Sequence, residues 1–288
     1  MKFAFYVSTG KSREAPLRDA WTAGAAALGD ELVVTSNDVA APIDADVAVM
    51  VGLKSIDLRE ACKAAGQRVL IFDKGYDRKE DWWRVSIDAH QPTDYLTKLV
   101  RPRARMDKCG WNPKPWRAPT PDGHVIIAGG GRKYYDAHDL PDPADYIAGV
   151  VADLRAAGCS RRIWYRPKPS MADVAPVADT TLSRHKSIYD LLKGAHVLVT
   201  FGSNACFEAV LAGIPSIVTG DAVMRPISST RLDEIEAPHL ADDGGRLSLL
   251  SSLAYCQFRL SEISQGWGVH EIKAQLQEIV RNAPHEQP

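Results

Sequence analysis

The chain has 288 residues, a net charge of −1 and an apolar content of 45%. These values are typical of a globular protein with one large or two ordinary domains. A charge so close to zero gives the whole molecule no field that attracts a polyanion, so any such attraction must come from a local cluster. No apolar run approaches the ~20 residues of a membrane helix, and we expect no transmembrane helix.

The cysteines are scattered, odd in number and without a CxxC pair: Cys62, Cys109, Cys159, Cys206 and Cys256. This pattern argues against a disulfide framework and a structural zinc site. The start, MKFAFYVSTG, reads as a first strand, because it lacks the long apolar core and the small-residue cleavage site of a secretion signal. We therefore expect a cytoplasmic protein.

Strand and helix patterns alternate through the first hundred residues. Strands are predicted at 3–7, 31–35, 47–51 and 68–72, and helices at 15–28 and 57–65. This alternation predicts a parallel α/β sheet, whose ligands bind at the carboxyl ends of the strands. Ser8 and Lys11 follow the first strand, although a plain turn explains that loop equally well, and its GKS lacks the spacing of a Walker motif.

Asp73 follows the strand at 68–72, with Tyr76 and Arg84 in the next segment. An Asp in this place is often only a helix cap or a loop residue. It is also placed where a carboxylate can accept the proton of an incoming hydroxyl group.

A basic, proline-rich run covers 98–117, KLVRPRARMDKCGWNPKPWR. Its composition predicts an extended, irregular connection between domains. Such a run is usually a solvated linker. The combination of Arg103 and Arg105 with Trp111 and Trp116 also suits a phosphate backbone with exposed bases or sugar rings.

A second series of strands and helices follows. Strands are predicted at 124–128, 162–166, 197–200 and 217–219, and helices at 145–157, 188–193, 247–258 and 270–279. The first of these strands leads into Gly129, Gly130, Gly131 and Arg132, where glycines allow a ligand close to the backbone. Ser187 is placed to cap the helix at 188–193.

The most informative stretch is 197–220, VLVTFGSNACFEAVLAGIPSIVTG. It predicts a strand, a turn at Gly202, Ser203 and Asn204, a helix, and a stop at Gly213. The free N–H groups at the start of that helix attract an anion, and Glu208, one turn later, is within reach of a ribose hydroxyl. An ordinary βαβ crossover with a serine cap and a surface glutamate would have the same pattern.

Four motifs follow one another in the second half of the chain: RPKP, SIYDLL, the stretch 197–220 and LAYCQFRLSEISQGWG. In this order they resemble the donor-binding half of GT-B glycosyltransferases. The similarity is greatest to capsule-polysaccharide and Kdo-transferase-like enzymes and their phage-encoded relatives, and covers roughly 163–267. It implies an α/β fold of two Rossmann-like, doubly wound domains facing across a cleft. The expected parts are an acceptor-side domain at 1–100, a basic linker at 101–120, a nucleotide-sugar domain at 121–267 and a helix crossing back at 268–288.

The resemblance implies a metal-independent transfer from a nucleotide-sugar, with a UDP-sugar expected, and no further cofactor. The implied donor-binding residues are Gly130, Gly131, Arg132, Arg166, Lys168, Ser187, Gly202, Ser203, Asn204 and Glu208. Lys168 stands where capsule enzymes tend to carry a histidine. Asp73 is preferred as general base over His90 and His185. The acceptor-binding candidates are Ser8, Lys11, Tyr76, Arg84, Arg103, Arg105, Trp111 and Trp116.

The basic run and its tryptophans favour a polyanionic acceptor, so 5-hydroxymethylpyrimidine bases of phage DNA are placed ahead of a capsular polysaccharide or a glycolipid. In that case the enzyme works in the host cytoplasm, as a monomer or weak dimer. A nucleotide-sugar epimerase stays open, and so does a non-catalytic protein that binds nucleotide-sugar or nucleic acid, because a fold alone does not prove catalysis.

Overall fold

A computed structural model describes residues 1–8, 12–53, 55–76, 81–171, 174–185 and 187–281. The chain divides into two compact units. The first comprises Met1–Arg101 and the chain from Ser252 onward, and the second comprises Pro102–Ser251. No helix of the described residues is long and apolar enough to cross a bilayer.

The first unit is built on a sheet of six strands. Its strands are β1 (Lys2–Val7), β2 (Glu31–Ser36), β3 (Val47–Val51), β4 (Arg68–Lys74), β5 (Trp82–Ile87) and β11 (Gln257–Arg259). Its helices are α1 (Ala15–Ala27), α2 (Ile56–Ala64), α3 (Thr93–Leu96), α10 (Leu260–Ser264) and α11 (Trp267–Arg281).

The second unit is built on a sheet of five strands. Its strands are β6 (His124–Ala128), β7 (Ile163–Arg166), β8 (Thr181–Leu182), β9 (Ala195–Thr200) and β10 (Ser216–Val218). Its helices are α4 (Ala104–Cys109), α5 (Arg132–Asp136), α6 (Pro143–Ala156), α7 (Ile188–Leu192), α8 (Ala205–Leu211) and most of α9 (Asp243–Ala254).

The first sheet has the order β11-β5-β4-β3-β1-β2. Strands β1 to β4 are parallel, as their alternation with helices predicts. The alternation does not predict the last two strands at one side of the sheet, because β5 runs antiparallel to β4, and β11 antiparallel to β5. The connection from β4 to β5 is too short for a crossover helix, so the chain can only return antiparallel.

The second sheet is parallel throughout, in the order β10-β9-β6-β7-β8. When the strands of this sheet are numbered along the chain and read from β8 to β10, the order is 3-2-1-4-5. This is the order of a nucleotide-binding Rossmann unit. The apolar side chains of β6, β7 and β9 pack on α6 through residues such as Val125, Tyr165 and Leu154. The predicted pair of doubly wound α/β units is therefore confirmed.

Two predicted segments differ from the structure. The basic run is not irregular throughout, because it contains α4, which buries Met106 and Cys109 and ends at Gly110 with a φ of 76°. The predicted helix at 247–258 ends at Ala254, and Phe258 instead lies in β11. In both places tertiary contacts outweigh the local sequence pattern. Burial of its apolar side chains favours α4, and hydrogen bonding to the edge of β5 favours the short strand β11.

Helix α11 lies in the first unit, where Lys273 Nζ pairs with Asp30 at 2.6 Å. Arg101 holds the same helix through Glu271 and Glu278, at 3.1 and 2.9 Å.

Gly24 and Gly149 both lie inside helices but in opposite surroundings. A Cβ at Gly24 would overlap the carbonyl oxygen of Ile263 and lie 3.0 Å from Val269 Cγ2, whereas a Cβ at Gly149 would meet nothing within 4 Å. We expect Gly24→Ala to lower the free energy of unfolding by about 1–3 kcal/mol. Gly149→Ala should leave it unchanged or raise it by up to about 1 kcal/mol. Urea unfolding measures both, and equal stability of the two variants would contradict the close approach of α10 to α1.

Candidate functional site

The carboxyl edge of the second sheet holds the loops that follow β6 and β9. Strands β6 and β9 are neighbours in the sheet. From β6 the chain continues to β7 and β8 on one side, and then to β9 and β10 on the other side, so the strand order reverses between β6 and β9. Doubly wound sheets bind ligands at such a reversal. The Thr200 hydroxyl joins the two loops, since it donates to the Ala128 carbonyl at 2.8 Å and accepts from the Ser203 N–H at 3.0 Å.

Tyr134 holds these loops together, although no sequence pattern predicts this role. Its hydroxyl donates to the Asp221 carbonyl at 2.8 Å, in the loop after β10. A Cβ at Gly202 would overlap the same hydroxyl, so only glycine fits the turn. One buried ring thus connects the loops after β6, β9 and β10.

The turn before α8 has fewer free donors than the sequence predicts. Helix α8 has seven residues, and its N-cap residue Asn204 makes no side-chain capping bond. The Ala205 N–H donates to Ser203 Oγ at 3.3 Å, and the next two N–H groups donate to the carbonyls of Ser203 and Asn204. The predicted row of open N–H groups is therefore wrong in this state, because the turn satisfies most of them internally.

Lys168 is the cation best placed beside the glycine loop. A Cβ at Gly131 would lie 3.2 Å from its Cδ and 3.4 Å from its Nζ, so the lysine side chain extends across that glycine. Within the described chain Lys168 has no ion pair. Gly130 is close to the Tyr135 hydroxyl, which accepts its N–H at 3.5 Å.

The other predicted donor residues have protein partners. Arg132 pairs with Asp142 at 2.6 Å, and the buried Arg166 donates to the His185 carbonyl at 2.8 Å. Ser187 caps α7 by accepting the Tyr189 N–H. Glu208 is half-buried on α8. Lys168 thus differs from Arg132 and Arg166, because within the described chain its ammonium group has no hydrogen-bond or ion-pair partner.

A polar cluster surrounds Asp73 near the carboxyl end of β4 in the first unit. Asp73 Oδ2 lies 3.5 Å from an Arg84 nitrogen and 3.7 Å from His90 Nε2, and its Oδ1 accepts the Lys74 N–H at 2.8 Å. The Asp73 side chain is 33% exposed, whereas that of Arg84 is 3% exposed. One carboxylate edge is therefore accessible, and the cation behind it is covered.

Arg84 fixes the protonation of His90. A guanidinium group only donates hydrogen bonds, and one Arg84 nitrogen lies 2.9 Å from His90 Nε2. Nε2 must accept, so the neutral ring carries its proton on Nδ1. The other Arg84 nitrogen donates to the His90 carbonyl and to Gln91 Oε1.

The pKa values follow from this arrangement. Burial raises the pKa of Asp73, but the charge of Arg84 and the hydrogen bond from the Lys74 N–H oppose burial, and the pKa is held well below its usual range. Burial, and then the charge of Arg84, lower the pKa of His90 to about 4. At neutral pH the cluster therefore contains an ionised carboxylate and an uncharged imidazole.

The loops after β1, β2 and β3 are joined by hydroxyl groups. Asn37 donates to Ser8 Oγ at 3.2 Å and to Ser55 Oγ at 3.0 Å. Ser55 has a φ of 57°, a strained value for a residue with a side chain. Ser8 thus belongs to this edge as predicted, whereas Lys11 lies outside the described residues.

The remaining acceptor candidates are mostly enclosed. Tyr76, Arg105 and Trp111 are buried, and the Trp111 ring packs on Phe207 at 4.6 Å. The Trp116 indole N–H donates to the Ala241 carbonyl, and its ring lies under Arg246.

These contacts correct the prediction of an exposed basic and aromatic surface. Arg103 pairs with Asp107 at 3.0 Å, Arg101 with two glutamates, and Arg117 donates to two backbone carbonyls. The arginines of the run therefore have protein partners or are buried, whereas Lys98, Lys108 and Lys114 are exposed.

No protein-family model matches the sequence, and no curated protein matches it. Among solved structures, the chain is similar to the β-Kdo 2,4 transferase of KpsC from Thermosulfurimonas dismutans, with a TM-score of 0.54, 13% identity, and 90% of this chain and 92% of that one covered. The chain has the GT-B fold. The β-Kdo 2,7 transferase of the same KpsC aligns with a TM-score of 0.49 and 11% identity, over 94% of this chain and 100% of that one. At these identities the similarity extends to the fold.

The low pKa of His90 predicts acid sensitivity. Because the unfolded chain binds a proton at His90 more readily, stability falls as the pH drops from 6.5 towards about 4. The loss from this residue is about 2–3 kcal/mol by pH 4.5. His90→Gln keeps an acceptor for Arg84 but cannot titrate, so its urea midpoint should change less between pH 7.5 and 4.5.

His124 and His196 also have lowered pKa values and retain part of the slope in the variant. An unchanged pH dependence in His90→Gln would show that His90 is not held neutral in the native state.

Proposed function

We propose that this chain is a glycosyltransferase that moves a sugar from a nucleotide-sugar to a hydroxyl acceptor. The observation that carries the proposal is the reversal of strand order between β6 and β9, where the glycine loop, Lys168 and the Gly202 turn meet at one edge of a Rossmann sheet. The GT-B fold agrees with this assignment.

The second unit is the proposed donor site. Gly130 and Gly131 let a diphosphate approach the backbone, and Lys168 supplies the positive charge that stabilises the departing nucleotide. The turn at Ser203 and Asn204 contributes N–H dipoles once the ligand replaces internal bonds. Glu208 is proposed to accept hydrogen bonds from the ribose hydroxyls of a UDP-sugar.

Asp73 is the proposed general base. It is ionised at neutral pH, so it can accept a hydrogen bond from the acceptor hydroxyl and orient it. As the acceptor oxygen bonds to the anomeric carbon, its proton passes to Asp73 and the bond from that carbon to the diphosphate breaks. A carboxylate of low pKa holds a proton weakly, which suits transfer late in bond formation.

A glycan hydroxyl is the acceptor that the observations favour. The hydroxymethylpyrimidine DNA hypothesis depends on an open basic surface with two stacking rings. Trp111 is buried, Trp116 is held by Ala241 and Arg246, and Arg101 and Arg103 are ion-paired. Those groups are engaged within the protein and do not form that surface.

The test is to offer the purified chain each common nucleotide-sugar with a panel of acidic and neutral oligosaccharides, and separately with hydroxymethylated DNA. Mass spectrometry of the products identifies the added sugar and its acceptor. Addition to an oligosaccharide supports the proposal, addition to hydroxymethylated DNA returns the acceptor to the DNA base, and nucleotide-sugar binding without transfer indicates a non-catalytic protein.

Glu208→Ala should weaken donor binding, because it removes charged hydrogen bonds worth about 1.5–3 kcal/mol. Calorimetry with the donor measures the loss. Glu60→Ala, an exposed change in the first unit, is the control and should bind normally. Equal affinities for the two variants would remove Glu208 from the donor site.

Asp73→Asn should lower turnover by roughly 10²–10⁴-fold with little change in donor affinity. Asp44→Asn makes the same chemical change at a carboxylate that is 96% exposed and serves as control. Turnover of Asp73→Asn within a few-fold of the control would assign the base to another residue.

A further inference from the structure

Arg59 is a half-buried arginine of α2 for which the described structure provides no hydrogen-bond or ion-pair partner. Its Nε is buried without an acceptor, and burial lowers its pKa. Its charge is felt at His90, whose pKa it helps to lower. Helix α2 follows β3, which pairs with β4, so Arg59 in the first turn of α2 lies at the same edge of the sheet as Asp73 but does not pair with it.

Other arginines with a buried Nε differ from Arg59 in this respect. Arg68 pairs with Asp88 at 2.6 Å, and Arg246 pairs with Asp243 at 2.8 Å and donates to the Lys114 carbonyl. Glu60, next to Arg59 in the chain, pairs with Lys63 at 3.0 Å.

The cluster around Asp73 has more guanidinium groups than accessible carboxylates. Asp73 already faces Arg84 at 3.5 Å and Arg13 at 4.0 Å. Arg13 is 60% exposed, so its contact with Asp73 leaves most of its guanidinium group open. The nearby Glu14 is buried and accepts the Ser8 N–H. One accessible carboxylate therefore serves several guanidinium groups.

A partly buried cation without a partner costs free energy, and a protein retains it most simply where a ligand supplies the opposite charge. A guanidinium group matches the two oxygens of a carboxylate or a phosphate. We propose that Arg59, together with Arg13, binds a carboxylate or phosphate group of an acidic glycan acceptor beside Asp73. This inference rests on the proposed function and specifies the acceptor class.

The binding test uses sodium glucuronate, inorganic phosphate and, as the uncharged comparison, glucose. Each is titrated by calorimetry into the full chain without nucleotide-sugar, for the wild type, Arg59→Gln and Arg18→Gln. Arg18 is an arginine of α1 in the same unit that pairs with the neighbouring Asp19, so it controls for the loss of one charge. We expect Arg59→Gln to weaken binding of an anion about tenfold or more, and Arg18→Gln to leave it unchanged.

Each outcome of this titration supports or overturns the inference. Arg59-dependent binding of glucuronate assigns a carboxylated sugar, and Arg59-dependent binding of phosphate alone assigns a phosphorylated one. If neither anion depends on Arg59, or if glucose binds as well as glucuronate, the inference is overturned. Because no donor is present, anion binding is independent of turnover, and its persistence without transfer to any acceptor would reject only the proposed function.

Stability provides a second readout. Arg59→Gln removes a cation that has no partner in the free protein, so its urea midpoint should match or exceed that of the wild type. Arg101→Gln, which breaks pairs with Glu271 and Glu278, should lower the midpoint. A fall in Arg59→Gln as large as in Arg101→Gln would give Arg59 a structural role instead, and Arg59→Lys then tests whether charge alone retains the anion.

Discussion

Parallel pairing of strands is the constraint on which both units depend. It brings the carboxyl ends of β1, β3 and β4 to one edge of the first sheet and those of β6, β7 and β9 to one edge of the second. Loops far apart in sequence therefore meet, and their polar groups must satisfy one another. Thr200 does so between β6 and β9, and Asn37 does so between Ser8 and Ser55.

In the first unit a single buried guanidinium group determines the electrostatics of the edge. Arg84 is almost completely covered, and its two terminal nitrogens face Asp73, Gln91 and His90. Its charge helps to keep the carboxylate ionised and the imidazole neutral. Arg59 lacks this arrangement, which is why the same edge has capacity for an external anion.

The basic run shows that charge along a sequence is not charge on a surface. Arg101 binds Glu271 and Glu278, about 170 residues later, and so joins the end of the segment Met1–Arg101 to α11. Trp111 packs on Phe207 and so serves the core of the second unit. These residues contribute to folding stability.

The sequence alone determined the α/β class, the parallel strands, the helix caps and the glycine turns. These depend on hydrophobic periodicity, on runs of β-branched residues and on the glycines and prolines that end helices and strands, all within short windows. It also placed Asp73, Gly131, Lys168 and Gly202 at strand ends. Only the tertiary structure decided the antiparallel β5 and β11, the helix inside the basic run, the burial of Trp111 and the roles of Tyr134 and Arg59. Each of these depends on a partner distant in the chain, and a residue's local pattern carries no information about which partner will cover it.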